Sequence, residues 1–384
     1  MNDAFKPDWD PRSADVIRDQ RAAYDEMRDR CPVAYSEFMQ WSLFRHEDVT
    51  RVLHDHETFS NAVSPHLSVP NGMDPPEHTP YRRIIEPYFA PERMDTFELS
   101  CREIVADLVR RALASGEVEL MDDFALPFAI RVQCAFLGWP PNLHEPLVHW
   151  IRKSHAATLA RDRQVMSEVA REFEGFIDDM LETRSKTGAK PEDDITAALM
   201  HEKVWGRPLS NEEIASILRN WTVGEIGTIS AAVGILVHYL AQHPALQKQL
   251  RDQLSSLPTA IDEILRIHGP LVANRRIATR PVEIGGRKID AGERISLIWI
   301  SANRDGRIFE DPDTFRLDRD PAKNLLYGAG IHVCPGAPLA RMELRVIMEE
   351  LLQHTSGIQP VQGKPPTNAV YPASGFATLP LVIR

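Results

Sequence analysis

Apolar residues recurring at three- and four-residue intervals dominate the chain. This spacing lines one face of an α-helix, and it predicts helices over 13–30, 47–55, 77–86, 94–114, 123–137, 164–185 and 211–242. Short pieces of strand character occur at 34–35, 41–44, 282–284, 288–289 and 294–300, with a Gly285-Gly286 turn between two of them. Strands are therefore expected at the start and in the last third, with an all-helical middle. The expected class is mainly α with a small segregated β region. Proline and glycine are spread along the chain rather than gathered in a linker, which predicts one domain over 1–384.

The longest predicted helix has clear ends. Ser210 and Glu213 have the spacing of a capping box, and His243-Pro244 stops the helix. At 1.5 Å per residue it spans roughly 48 Å, enough to cross the whole molecule. Its middle reads Trp221-Thr222-Val223-Gly224-Glu225-Ile226-Gly227-Thr228, apolar but interrupted by two glycines and a glutamate. Each interior glycine costs about 1 kcal/mol relative to alanine. A flat cofactor and a small ligand pressed against the helix would explain that cost.

Composition narrows the class. Of the 384 residues, 43% are hydrophobic and 26% charged, ordinary for a globular protein. A formal net charge of −11 argues against nucleic acid as a partner. Cys31, Cys101, Cys134 and Cys334 are widely spaced with no Cys-x-x-Cys pair, which is cytosolic usage rather than a disulfide framework or a zinc site. The opening Met1-Asn2-Asp3-Ala4-Phe5-Lys6-Pro7-Asp8 is polar and lacks both a leader pattern and a membrane-length apolar run. A cytoplasmic protein without a membrane partner is expected.

The densest chemical signal is Tyr327-Gly328-Ala329-Gly330-Ile331-His332-Val333-Cys334-Pro335-Gly336, which runs into Leu339-Ala340-Arg341-Met342-Glu343. It sets one cysteine in a glycine-punctuated loop where an amphipathic helix begins. Free backbone N–H groups and the positive end of the helix dipole stabilise a thiolate there. The glycines let the backbone turn tightly and lie against something flat. A free cysteine in a strand-to-helix turn is the plainer reading of a lone Gly-x-x-Cys. Elsewhere, Glu263 and Arg266 sit at i and i+3 on one helix face, and His78 and Arg82 at i and i+4. Isolated pairs of either kind equally fit surface charge.

The cysteine segment resembles the signature of the cytochrome P-450 family, Phe-Gly-x-Gly-x-His-x-Cys-x-Gly, and departs from it only at Tyr327. The resemblance extends from about residue 15 to the C-terminus. It implies a haem b cofactor (iron protoporphyrin IX) with Cys334 as the axial thiolate ligand and Gly336 in the same loop. It implies that Glu263, Arg266 and Arg319 form a buried charge triad supporting the haem pocket. It further implies that His78, Arg82, Arg276 and His332 bind the haem propionates through charge-assisted hydrogen bonds. The family's substrate-contact regions map to Val223 and Gly224, to Leu271-Val272-Ala273-Asn274 and to Phe376, while the 59–73 loop suggests a reduced lid.

The long helix departs from the family pattern. Most members carry an acid followed by a threonine there. In one register Ile226 and Gly227 stand at those two positions, and in the next Gly227 and Thr228 do. Glu225 and Thr228, three apart, offer a rearranged acid–hydroxyl pair, against the alternative of a structural glutamate. The activity implied is insertion of one oxygen atom of O2 into a small hydrophobic substrate. No flavin or nucleotide fingerprint and no Fe–S cysteine set is present, so electrons are expected from a separate ferredoxin or flavodoxin, or from a fused reductase. The unusual helix keeps a peroxide-driven peroxygenase or a haem-thiolate isomerase or dehydratase in view, with a haem gas sensor as a rival from another class.

Overall fold

The computed structural model describes residues 6–371 and 373–384; Met1–Phe5 of the polar opening segment lie outside it. The helical expectation holds in outline. Helices cover His46–His54, His78–Ile85, Pro91–Ser115, Leu126–Leu137, Arg163–Thr187 and Asn211–Gln242. The last has the expected bounds, because both halves of the capping box form: Ser210 Oγ accepts from the Glu213 N–H, and the Glu213 side chain accepts from the Ser210 N–H.

Two differences have local causes. The stretch expected as one helix over 13–30 is two, Ala14–Arg18 and Gln20–Arg30. Asp19 has extended backbone and its side chain caps Ala22, which restarts the chain there. The 123–137 helix is preceded by a π turn, Met121–Ala125, so the regular helix begins at Leu126. Further helices, His144–Ala160 and Ile195–His201, fill the middle of the chain.

The middle is not all helix. Glu117–Glu119 pairs antiparallel with Pro380–Ile383, which also pairs with Ile358–Pro360. A small hairpin joins Lys203–Val204 to Arg207–Pro208. These strands are two to four residues long, too short for a period-of-two pattern to show. The main sheet has five strands, in the order Val33–Ser36, Gln40–Leu43, Arg294–Ile298, Ala273–Ala278, Phe59–Ser60. Its fourth strand was not expected, since Ala273-Asn274-Arg275-Arg276 carries three polar residues in succession.

The long helix runs through the main core, with Ile217, Leu218, Ile226, Val233 and Val237 each at most 1% exposed. It is long and apolar enough to cross a membrane, but 61% of its most apolar window is buried inside this fold. The 61–77 loop is pinned across it: Ser216 Oγ accepts from the Val69 N–H at 2.8 Å, Arg219 donates to the Leu67 carbonyl at 2.7 Å and Asn220 to the Val69 carbonyl at 3.0 Å.

Candidate active site

The cysteine loop is shaped by its own backbone. The Cys334 N–H donates to the Tyr327 carbonyl at 2.8 Å, closing the loop on itself. Gly328 and Gly330 have φ of +74° and +69°, a region that favours glycine. At Gly330 a Cβ would stand 2.2 Å from the Leu53 carbonyl oxygen, so the loop is seated directly on the end of the His46–His54 helix. Gly336 differs from the expectation: its φ is −80°, and it is not needed for the turn. Its missing side chain instead leaves space 3.9 Å from the Cys334 sulfur.

The Ala337–His354 helix begins just after the sulfur. The Gly336 and Ala337 N–H groups point at the Cys334 thiol and favour its thiolate, against the burial that pushes its pKa up. The residue is nevertheless exposed by accessible surface. A thiol that is both deeply set and accessible opens onto interior space.

Cations converge beside it. His78 and His332 meet with ring centroids 4.4 Å apart, and the Nε2 of each is buried without a hydrogen-bond partner among the described residues. Arg82 donates to the Val333 carbonyl at 2.7 Å and to Glu86 at 2.8 Å, which ties the His78–Ile85 helix to the loop. Arg276 is 6% exposed, and among the described residues its guanidinium donates only to the Arg275 carbonyl at 2.8 Å. Burial, with His78, Arg276 and Arg82 nearby, holds His332 down at about 3; burial and Arg82 lower His78, and burial lowers Arg276 to about 10. Unmet buried donors cost on the order of 1–3 kcal/mol each. Two carboxylates with four oxygens would satisfy this set, which is what the propionates of a haem present. The residues therefore fit the group.

Behind the loop, Glu263 accepts two bonds from Arg266, at 2.7 and 2.9 Å, and one from Arg319 at 2.8 Å. Arg266 also donates to the Asn303 and Pro312 carbonyls, and Arg319 to those of Glu310, Asp311 and Thr314. This buried acid with two arginines knits the Leu257–His268 helix to the segment leading into the cysteine loop.

On the long helix the two halves of the rearranged pair separate. Val223 is 43% exposed, Gly224 is exposed, and Gly227 and Thr228 are half-buried, so these four share the open face. The Thr228 hydroxyl donates to the Gly224 carbonyl at 2.5 Å. Glu225 lies on the buried side, where its carboxyl meets Glu343 of the Ala337–His354 helix. Burial pushes Glu225 up to about 7, and burial beside Glu225 holds Glu343 well above the carboxylate range. Glu343 thus keeps its proton beside Glu225, and neither of its oxygens has a hydrogen-bond partner among the described residues. Among the described residues no hydrogen bond joins Glu225 to Thr228.

The expected pocket walls divide. Phe376 lines two adjoining cavities of about 240 and about 320 Å³ and lies 4.5 Å from the His238 ring. Val272 is 1% exposed in the cluster of Trp9, Tyr24, Phe44 and Ile298, so it is core and not pocket wall. Leu271 packs beside the main-sheet core, Ala273 beside that of Trp9, and Asn274 is exposed. Glu343 and His155, which lines the larger cavity with Gly227 and Ser230, carried no role in the sequence reading. A glutamate inside the apolar run Met342-Glu343-Leu344 was the available signal for the first. For the second none existed, since tertiary packing alone brings residues 155 and 227 together.

The profile of the family described as "Cytochrome P450" matches residues 134–381. The chain belongs to the cytochrome P450 family. "Putative cytochrome P450 YjiB" of Bacillus subtilis is 31% identical over 363 residues, covering 90% of each chain. The "Mycinamicin IV hydroxylase/epoxidase" of Micromonospora griseorubida is 32% identical over 355 residues, covering 88% of each. The structure of a P450 EryK mutant in complex with erythromycin B superposes with a TM-score of 0.87 at 29% identity, covering 96% of this chain and 97% of the other. The P450 fold and P450 monooxygenase activity follow, as does a haem held by a cysteine thiolate.

Proposed function

We propose that residues 1–384 form one haem b-binding unit that hydroxylates or epoxidises a small hydrophobic organic substrate. Its electrons come from a separate ferredoxin- or flavodoxin-type donor, and it works in the cytoplasm. Cys334 is the axial ligand. His78, Arg82, Arg276 and His332 hold the propionates. Val223, Gly224 and Phe376 line the substrate space. The observation that carries the reading is the set of buried, unsatisfied donors beside Cys334, His78 Nε2 and His332 Nε2 above all, together with an open helix face of small residues. When bound, the haem supplies the O–O cleavage chemistry that a thiolate ligand promotes. The chain's residues supply the rest. Apolar wall residues such as Leu126, Ile226 and Phe376 hold the substrate, and the Thr228 hydroxyl, on the open face, holds a proton-carrying water.

One observation favours a second reading. Gly227 stands beside Thr228 on the open face and offers no acid. That arrangement also suits a peroxide-driven peroxygenase, or an isomerase or dehydratase that needs no proton relay. The deciding experiment compares product formed with NADH, a ferredoxin or flavodoxin and its reductase against product formed with hydrogen peroxide alone. The first reading expects product chiefly from the reductive system. Product from peroxide only would replace it with the second.

A further inference from the structure

The acid–hydroxyl pairing read from the sequence is not formed, because Glu225 faces Glu343 and not Thr228. Another titratable group occupies the vacant position. Among the described residues, and apart from the helix's own backbone, one atom lies within 4 Å of where a Cβ on Gly227 would stand: Nε2 of His155, at 3.8 Å. His155 comes from the His144–Ala160 helix, half-buried over the long helix. It lines the cavity of about 320 Å³ together with Ile226, Gly227 and Ser230.

We propose that His155 is a proton-positioning residue for O2 activation, standing over Gly227 in place of an acid on the long helix and passing protons through cavity water to Thr228. This rests on the monooxygenase reading above. Several observations support it beyond proximity. No hydrogen bond is made by either ring nitrogen of His155 among the described residues, so the ring is free to exchange partners with water. The Thr228 and Ser230 hydroxyls each donate to a carbonyl of their own helix, at 2.5 and 2.7 Å, and each keeps lone pairs that accept from water. Asp122 and Arg152, the charged groups on the cavity wall, are paired with each other at 2.6 Å. Tyr371 on the opposite wall accepts from Arg275 at 2.7 Å. Asp122, the carboxylate on that wall, is thus engaged by Arg152, and burial lowers the pKa of the imidazole. A neutral imidazole takes a proton at one ring nitrogen and releases one from the other, which suits it to carry protons.

The proton balance is simple. Reduction of O2 to one water and one inserted oxygen atom takes two electrons, from the redox partner, and two protons. The Nε2–H of His155 gives a proton to cavity water, that water hands a proton on at the Thr228 hydroxyl, and solvent returns a proton to the ring at its other nitrogen; two such passes supply the two protons.

Two measurements on the holoenzyme test the proposal. The first follows peroxide released per NADH in the parent enzyme, in His155→Ala, and in His155→Ala combined with Gly227→Asp. His155→Ala is expected to raise the leaked fraction about tenfold, below the 10²–10⁴ that a positioned acid–base group contributes at most. Gly227→Asp is expected to restore coupling in that background. Parent-like coupling in His155→Ala, or no rescue by Gly227→Asp, overturns the proposal. The second reads the His155 pKa by NMR of ¹³C-histidine in the diamagnetic ferrous–CO enzyme. Gly227→Asp sets a carboxylate against Nε2 and is expected to raise that pKa by at least about 1 unit. An unchanged value overturns the placement of His155. A parent enzyme that makes no product with any electron donor contradicts the O2-driven reading instead, and the NMR result distinguishes that failure.

Discussion

At residue scale, Cys334 and Glu225 show how little of a side chain's role lies in its identity. Both are acids set deep in the molecule. The thiol is answered by two N–H groups at the start of a helix, whereas Glu225 is answered by a second carboxyl. A helix terminus supports an anion; a second carboxylate forces one proton to stay. The retained proton has a consequence for stability. The folded-state pKa of Glu225 is raised from 4.5 to about 7, so the native state binds protons more tightly than the unfolded chain. The associated stability is fully present below pH 4.5 and is lost as pH rises toward 7. Glu225→Gln removes it, and the fall in unfolding free energy between those pH values should shrink by on the order of 2–3 kcal/mol. Urea melts at pH 5 and pH 7.5 check this; the same slope in both proteins would mean that the carboxyl pair does not form.

At the scale of elements, the long helix was legible to the residue, because its capping box and its terminal His243-Pro244 are local signals. Its two central glycines were legible as a cost and not as a reason. The structure supplies the reason: among the described residues outside the helix's own backbone, no atom approaches the Cβ position of Gly224 and only His155 approaches that of Gly227. Both glycines leave open space rather than allow close packing. Gly234 on the same helix is the reverse case, since a Cβ there would meet Met121 Sδ at 2.6 Å. The sequence distinguishes neither situation, because both depend on which element lies opposite. The same limit hid the orientation of Glu225, which spacing alone paired with Thr228. The cysteine loop yields an element-scale prediction. Gly330→Ala meets both a positive φ and the Leu53 carbonyl, and should destabilise by more than about 2 kcal/mol. Gly336→Ala has an ordinary φ and should cost under about 1 kcal/mol, while crowding the sulfur. Thermal melts of the two variants decide; equal losses would contradict the loop geometry.

At the scale of the whole molecule, the residues around the cysteine come from four separated stretches: His78 and Arg82 from one helix, Arg276 from the main sheet, Glu263 and Arg266 from another helix, and His332 and Cys334 from the loop. Their convergence was not readable from spacing. It entered the sequence reading only through resemblance to a family, and the geometry now gives it physical content as a set of unmet donors around a thiol. Haem binding should therefore stabilise the fold, by linkage, in proportion to how well those donors are met. His78→Ala and Arg276→Ala should each lower haem retention through purification and narrow the gap between holo and apo melting temperatures. Retention equal to that of the parent protein in both would put the propionates elsewhere. The triad makes a different demand. Arg266→Ala leaves Glu263 buried with one partner fewer and should cost on the order of 3–5 kcal/mol with or without haem. An effect seen only in the holo protein would contradict that assignment.

The central claim is that Cys334, in its loop at the start of the Ala337–His354 helix, is the thiolate ligand of a haem. The reduced CO spectrum of the parent protein and of Cys334→Ser tests it most directly. The parent should show the red-shifted band of a thiolate-ligated haem, and Cys334→Ser should lose that band and hold haem weakly. Survival of the red-shifted band in Cys334→Ser would mean that Cys31, Cys101 or Cys134 binds the iron and that the site has been assigned to the wrong loop.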